Sequence, residues 1–319
     1  MIGKRIELAI VAPVYNEEQV IPNFYSRVVR VMDGLEATGE VATRLVYVLD
    51  RSEDASLSLL TEIANRDTRV TVIALSSRFG HQMSLLAGID HTKNCDAVVM
   101  LDSDLQHPPE LIEVLLYHFR NGFDVVYTIR IDTANINPIR KLLGSFFYRI
   151  LGSISSIPIH SNAADFRLIS QSVARILCED FSERRMFLRG LFTWMGFEQI
   201  AVEFVSEQRA AGNSKYSFSR ILQLASSGIF SFSTKPLHIG IFLGLSMSVL
   251  SLFVTFFTIG AYFTDNTIPS GWTTLVILLL SFGGIQLVVI GIIGAYIGGI
   301  YEEIKCRPRY IIEKIISKL

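Results

Sequence analysis

Two long stretches of this chain carry no ionised side chain: Pro236 to Thr264 and Asn266 to Tyr301 contain no Asp, Glu, Lys or Arg. Each exceeds the roughly 20 residues that a helix needs to cross about 30 Å of hydrocarbon. Runs of this length must be taken up by lipid or by a large apolar core, so the rest of the fold is built around them. Two transmembrane helices, 236–264 and 271–301, are the expectation, with a buried helical hairpin as the alternative. The connector Asp265–Ser270 has no Lys or Arg, while Lys215, Arg220 and Lys235 precede the first run and Lys305, Arg307, Arg309 and Lys314 follow the second. The positive-inside bias then predicts an integral membrane protein with both termini cytoplasmic. Met1–Glu7 leads into a strand-like run and Pro13 instead of a signal peptide.

Composition takes on meaning once these runs are set apart. The chain is 50% hydrophobic and only 18% charged, against about 25% charged in soluble domains. Of its 29 basic and 30 acidic residues, 5 and 4 lie beyond Lys235, so the first 235 residues have an ordinary globular make-up. A net charge of -1 excludes the basic excess of a general nucleic-acid binder. Cys95, Cys178 and Cys306 are too few for a disulfide scaffold and read as free thiols. His81, His107 and His160 form no zinc-spaced cluster with them.

Short β-branched runs recur at Glu7–Ala12, Arg44–Leu49, Arg69–Leu75, Asp96–Leu101 and Asp124–Ile129, with helical stretches at Glu17–Ala37, Ala55–Asn65, His81–His91 and Pro109–Arg120. This alternation predicts an α/β domain with a mainly parallel sheet and flanking helices. Ligands of such sheets sit beyond the carboxyl ends of the strands. Those positions are Pro13–Glu17, Asp50–Asp54, Ser76–Gly80, Asp102–Gln106 and Arg130, and they are rich in charge. No G-x-G-x-x-G or Walker loop is present, which argues against a dinucleotide oxidoreductase or a P-loop ATPase.

Asp102-Ser103-Asp104 closes the apolar strand Ala97–Leu101. Side chains two apart on extended backbone point the same way, and two such carboxylates can hold a hard divalent cation that bridges a substrate diphosphate. Alone, a D-x-D pair is weak evidence, because most are solvated loop residues.

In context it is specific. Val11-Ala12-Pro13-Val14-Tyr15-Asn16-Glu17-Glu18, Asp102-Ser103-Asp104-Leu105-Gln106-His107-Pro108, Ala164-Asp165-Phe166-Arg167-Leu168 and Gly212-Asn213-Ser214-Lys215-Tyr216 occur in this order. The chain thereby resembles the family 2 inverting glycosyltransferases, and within them the polyprenyl-phosphate hexosyltransferases, the bactoprenol glucosyltransferases and dolichol-phosphate mannose synthases. The likeness continues through both apolar runs to Tyr301–Tyr310. It implies a GT-A-like domain over 1–217, an amphipathic juxtamembrane helix over 218–235, the two spans, and a cytoplasmic tail over 302–319.

The resemblance further implies roles for single residues. Pro13, Tyr15 and Glu17 line the nucleoside pocket, joined by Asp50. Asp102, Ser103, Asp104 and Gln106 meet the donor diphosphate, with Asp102, Asp104 and Gln106 on Mg2+ or Mn2+. Arg130, Arg209 and Lys215 bind donor phosphate; Ser214, Lys215 and Arg209 also face the acceptor phosphate. Asp165 and Asp104 serve the reacting centre. The implied partners are UDP-glucose, a polyprenyl phosphate such as undecaprenyl phosphate, and the membrane. Transfer from GDP-mannose, or of aminoarabinose, is the alternative within the class. A membrane sugar-nucleotide-binding scaffold without turnover is the alternative outside it.

One departure stands out: where the family commonly reads D-D-G-S-x-D, this chain has Leu49-Asp50-Arg51-Ser52-Glu53-Asp54. The first carboxylate and the glycine are gone, which bears on base recognition. The Q-x-x-R-W motif of processive synthases is also absent, favouring single transfer. A phosphate monoester nucleophile already carries about -1.5 to -2 charges near neutrality, so the chemistry needs alignment and charge neutralisation more than a strong base.

Two further segments have helical apolar spacing. Ile139–Ile154 sets Arg140, Lys141 and Arg149 on its polar face, and Phe218–Phe230 precedes the first uncharged run. Gly240 and Gly244, and Gly294 and Gly298, have small-xxx-small spacing that suits helix packing within the chain or in a homo-oligomer.

Overall fold

A computed structural model describes residues 5–131, 163–183, 186–205, 235–264 and 271–318. The chain divides into two compact units, one of residues 1–148, 157–220 and 307–319, the other of 149–156 and 221–306.

The first unit alternates strand and helix as the hydrophobic pattern predicts: β1 (Ile6–Val14), α1 (Ile21–Ala37), β2 (Val41–Leu49), α2 (Ser56–Arg66), β3 (Val70–Leu75), α3 (His81–Thr92), β4 (Ala97–Met100), a 3-10 turn at Pro109–Leu111, α4 (Ile112–Arg120) and β5 (Val125–Ile131). Then come β6 (Ala163–Ser170), α5 (Gln171–Glu179), α6 (Leu188–Trp194), β7 (Gln199–Val205) and β8 (Ile312–Ser317). Every residue of β1 from Leu8 onward is buried, as befits a central parallel strand covered by helices on both faces. Helix α1 has Pro22 in its first turn and turns Ile21, Phe24, Val28, Val31, Met32 and Leu35 to the core, a spacing of three and four.

The strand order in the single sheet is β7-β5-β6-β4-β1-β2-β3-β8. β1, β2, β3, β4, β5 and β7 run one way, while β6 and β8 run against them. The mainly parallel α/β architecture expected of a GT-A-like domain is therefore present. The reversal of β6 was not legible in the hydrophobic pattern, and it matters. It brings the start of β6, with Asp165, to the same sheet edge as the carboxyl ends of β4 and β5.

Helix α3 lies hard against the sheet at Gly88, where an added Cβ would fall 2.2 Å from Val11 Cγ1 and 3.0 Å from Val48 Cγ2. A side chain there would push the helix off β1 and β2.

The segment expected as a plain tail is part of the sheet. Beyond Cys306 the chain forms a strap in which Arg309 donates to the carbonyls of Phe181 (2.5 Å) and Cys178 (3.1 Å), and Ile311 O accepts Ser76 N–H (2.9 Å). β8 then pairs antiparallel with β3, Thr71 opposite Ser317 and Ile73 opposite Ile315. Ile312, Ile315 and Ile316 supply the β-branched side chains that let a short, charged segment serve as an edge strand.

The second unit contains α7 (Lys235–Thr264) and α8 (Trp272–Ile304). Among the described residues, one stretch, Phe282–Ile304 of 23 residues with none of it buried, is long and apolar enough to cross a membrane. The expected small-residue packing is present at one of the four glycines. A Cβ on Gly240 would touch Val289 Cγ1 at 3.4 Å, whereas Gly244, Gly294 and Gly298 have nothing within 4 Å of theirs among the described residues. The amphipathic segments Ile139–Ile154 and Phe218–Phe230 lie outside the described residues.

Candidate functional site

The loops at the carboxyl ends of β1 to β4 are tied to one another by backbone-directed hydrogen bonds. Asn16 N–H donates to Ser52 Oγ (3.0 Å), and Glu53 N–H returns a bond to Asn16 Oδ1 (3.0 Å). Asn16 adopts φ +52° there, a left-handed conformation that Asn tolerates better than most residues. Glu17 N–H reaches Ser56 Oγ at 3.2 Å, and Glu18 N–H reaches Asp54 Oδ2 at 3.1 Å. Ser52 and Asp54, which keep the usual D-D-G-S-x-D pattern, thus fasten the β1 loop to the β2 loop together with Glu53 and Ser56.

Asp50 is buried, and both its oxygens are used: Oδ1 accepts Phe79 N–H (2.8 Å) and Oδ2 accepts Gly80 N–H (2.9 Å). Gly80 sits at φ +89°, which a side chain would strain, and it starts α3. Arg51 donates to Ser76 O at 2.9 Å. The departure at Leu49–Arg51 therefore has a local structural account: Leu49 completes the buried end of β2, and Asp50 and Arg51 hold the 76–80 loop. Tyr15 lies beneath the Arg78 guanidinium, 4.2 Å from ring centroid to Cζ, a cation–π contact that orders this part of the cleft.

Beside this loop lies the Asp102-Ser103-Asp104 turn. Ser103 is buried and donates to Pro13 O (2.9 Å), pinning the turn to β1. Asp104 Oδ1 accepts the Gln106 N–H at 3.0 Å, and Leu105 between them takes φ +61°. Asp102 faces two histidines: Oδ1 is 2.7 Å from His81 Nε2, and Oδ2 is 3.6 Å from His107 Nδ1. His107 is buried, stacks on Phe166 with ring centroids 5.5 Å apart, and its Nδ1 has no hydrogen-bond partner among the described residues.

His81 also stands 4.0 Å, Nδ1 to Oδ2, from Asp165. The Asp165 carboxylate is gripped by Arg189, Nε to Oδ1 at 2.6 Å and Nη2 to Oδ2 at 2.9 Å. Burial pushes the Asp165 carboxyl up, but the charge of Arg189, then of His81 and Arg167, outweighs it and keeps the group ionised well below the usual range. Burial likewise works against charge on His81, and the Asp102 carboxylate overrides it, favouring the imidazolium. The Asp102 pKa is lowered for the reciprocal reason. Arg167, the partner that its closeness in sequence suggests for Asp165, instead lies buried over the Phe192 ring at 4.7 Å and donates to Ala164 O.

The structure thus gathers Pro13, Tyr15, Glu17, Asp50, Asp102, Ser103, Asp104 and Gln106 on the loops of one sheet edge. Asp165 is reached from Asp102 through one imidazole, and Arg130 lies exposed near the carboxyl end of β5. Arg209, Ser214 and Lys215 lie outside the described residues. Sequence reasoning passed over His81 and Arg189. The first is the opening residue of α3 at a strand-end loop, a signal open to reading. The second follows Phe187-Leu188 with no motif to mark it.

The pattern for "Glycosyl transferase family 2" matches residues 9–177. "Uncharacterized glycosyltransferase YkcC" of Bacillus subtilis (strain 168) is 40% identical over 98% of this chain and 95% of its own length. "Bactoprenol glucosyl transferase" of Shigella phage SfX is 36% identical over 97% of this chain and 99% of its own. The "Prophage bactoprenol glucosyl transferase homolog" of Escherichia coli (strain K12) is 34% identical over 97% and 99%. The chain belongs to glycosyl transferase family 2.

Proposed function

We propose that this protein transfers one hexose, glucose from UDP-glucose, to undecaprenyl phosphate or a related polyprenyl phosphate at the cytoplasmic face of a membrane, with inversion at the anomeric carbon. The observation that carries the reading is the unbroken likeness to a bactoprenol glucosyl transferase over 97% of the chain. That likeness takes in the D-x-D loop and both uncharged helices alike. A lipid acceptor explains why one chain would join the two: the polyprenyl tail cannot leave the bilayer, so a catalytic domain must be held at its surface. Helices 236–264 and 271–301 serve as the two spans, with the basic flanks inside.

Asp102, Asp104 and Gln106 would hold Mg2+ or Mn2+. Among the described residues no three His, Cys, Asp or Glu side chains cluster closely enough to cage a metal alone, which suits a cation that completes its shell with substrate phosphate and water. When bound, the cation neutralises the leaving diphosphate. Pro13, Tyr15, Glu17 and Asp50 shape the nucleoside side, and Arg130, Arg209, Ser214 and Lys215 offset phosphate charge. Asp165 orients the sugar or acceptor. Held ionised by Arg189, it has no proton to give, and a phosphate nucleophile asks for no proton to be taken.

The test is radiolabelled transfer into extractable lipid, with membranes, polyprenyl phosphate, Mg2+ or Mn2+ and a panel of UDP- and GDP-sugars. Label from UDP-glucose in the lipid phase is the expected result. Label from GDP-mannose or an aminoarabinose donor instead would replace the sugar assignment, and no label from any donor would favour a binding scaffold.

A further inference from the structure

Asp165 is fixed by an element far from its own strand. Arg189, on the first turn of α6, meets the carboxylate at two points, 2.6 and 2.9 Å, so both its position and its plane are set. Arg189 is itself placed from α3. The backbone N–H of its neighbour Leu188 donates to Gln82 Oε1 at 3.3 Å. The residue before Gln82 is His81, which contacts Asp102 through one ring nitrogen and faces Asp165 with the other. Two successive residues of α3 thereby reach Asp165: His81 from the D-x-D loop through its imidazole, and Gln82 through α6.

Stability does not account for such an arrangement. Asp165 has 13% of its side chain exposed and Arg189 38%, and an ion pair adds little net stability, whether screened by solvent on its open side or desolvated on its buried one. What a two-point Arg–carboxylate pair supplies is orientation. We infer that Arg189 is a positioning residue for the transfer reaction. It sets the Asp165 carboxylate at the reacting centre without touching substrate, and Gln82 sets Arg189. The inference rests on the reading that Asp165 faces the transferred sugar or its acceptor.

The test uses full-length protein in lipid, assayed for glucose transfer from UDP-glucose to polyprenyl phosphate. Arg189→Ala is expected to lower kcat about 100-fold, as misplacement by about 1 Å does, while the KM for donor and acceptor changes less than about threefold. Arg189→Lys, which keeps the charge but loses the planar fork, should recover no more than about tenfold of that loss. Gln82→Leu, which leaves the pair itself intact, should cost roughly tenfold in kcat. In the Asp165→Asn background, Arg189→Ala should add less than about threefold. Melting temperatures of wild type, Arg189→Ala, Asp165→Asn and the double variant read the pairing without turnover: the double variant should melt no lower than the less stable single one.

A loss that appears in KM would make Arg189 a phosphate ligand and overturn the inference, as would full kcat in Arg189→Ala or multiplicative losses with Asp165→Asn. Should Arg189→Ala fail to fold, Arg189→Lys and Gln82→Leu carry the same kinetic test. A wild type that labels no lipid defeats the functional reading. A wild type that labels lipid, matched by its Arg189 variants, defeats this inference alone.

Discussion

Tyr310 donates its phenolic hydrogen to Asp90 Oδ2 over 2.6 Å, so a short bond fastens the C-terminal strap to helix α3. Lys93 lies 3.1 Å from the other oxygen of Asp90. Burial raises the Asp90 pKa, but Tyr310 and Lys93 lower it further than burial lifts it. Burial and Asp90 together raise the Tyr310 phenol. The Asp90 contribution is therefore full above its unfolded pKa of about 3.9 and fades as pH falls through the lower folded value. The Tyr310 contribution is full below about pH 10 and fades as pH rises through the higher one.

Tyr310→Phe should accordingly cost about 1 to 2 kcal/mol near neutrality. The gap in melting temperature between variant and wild type should shrink in acid once Asp90 is protonated. Equal melting at pH 7 would show that β8 and the Arg309 and Ile311 bonds hold the strap without Tyr310.

Asp50→Asn leaves one acceptor where two N–H groups, of Phe79 and Gly80, need one each, and it turns an NH2 group toward the second. A bond to a charged acceptor is worth about 1.5 to 3 kcal/mol, so UDP affinity measured by calorimetry should fall about tenfold or more as the 76–80 loop loosens. Unchanged affinity would remove Asp50 from donor binding.

Tyr47 Oη is fully buried without a partner among the described residues, its ring set edge-on to Phe24 with centroids 6.0 Å apart. A buried hydroxyl left unpaired costs about 1 to 3 kcal/mol. Tyr47→Phe removes that cost and keeps the ring, so its melting temperature should equal or exceed that of wild type. A drop of several degrees would mean that the hydroxyl is bonded.

Gly88→Ala sets two effects against each other. Alanine favours a helix over glycine by about 1 kcal/mol, but the new methyl meets Val11 Cγ1 at 2.2 Å, and overpacking costs about 1 to 3 kcal/mol. A contact that short puts the cost at the upper end, so the variant should melt below wild type.

Asp104→Asn, and chelation of wild type by EDTA, should each reduce glucose transfer by about 100-fold or more, since a bound cation supplies several kcal/mol of charge stabilisation. Added Mn2+ should restore the chelated wild type and not the variant. Full activity in EDTA would exclude the metal assignment.

The five strands and four helices up to Ile131 were legible because period-2 and period-3.6 patterns alternate there without interference, and the observed ends fall within a few residues of those expected. Motif order singled out Asp102, Asp104 and Asp165, and the structure sets Asp102 and Asp165 on either side of His81. The reversed β6 was hidden because Ala163–Ser170 reads as a motif more readily than as a strand. The sequence Ile312-Glu-Lys-Ile-Ile-Ser is too short and too charged to announce a sheet edge. Arg189 was invisible for another reason. Its role depends on a contact made across the fold, through Gln82, that no local spacing encodes.

β8 follows both uncharged helices in the chain and yet lies beside β3, which is made near the start. During synthesis the edge of β3 therefore has no strand of its own to pair with until the segment after the last hydrophobic helix has left the ribosome. An unpaired edge is a place for wrong pairing, so the catalytic sheet reaches its final form only after the hydrophobic helices have emerged. Assembly of the sheet is thus tied to the making of the two uncharged helices by chain order alone.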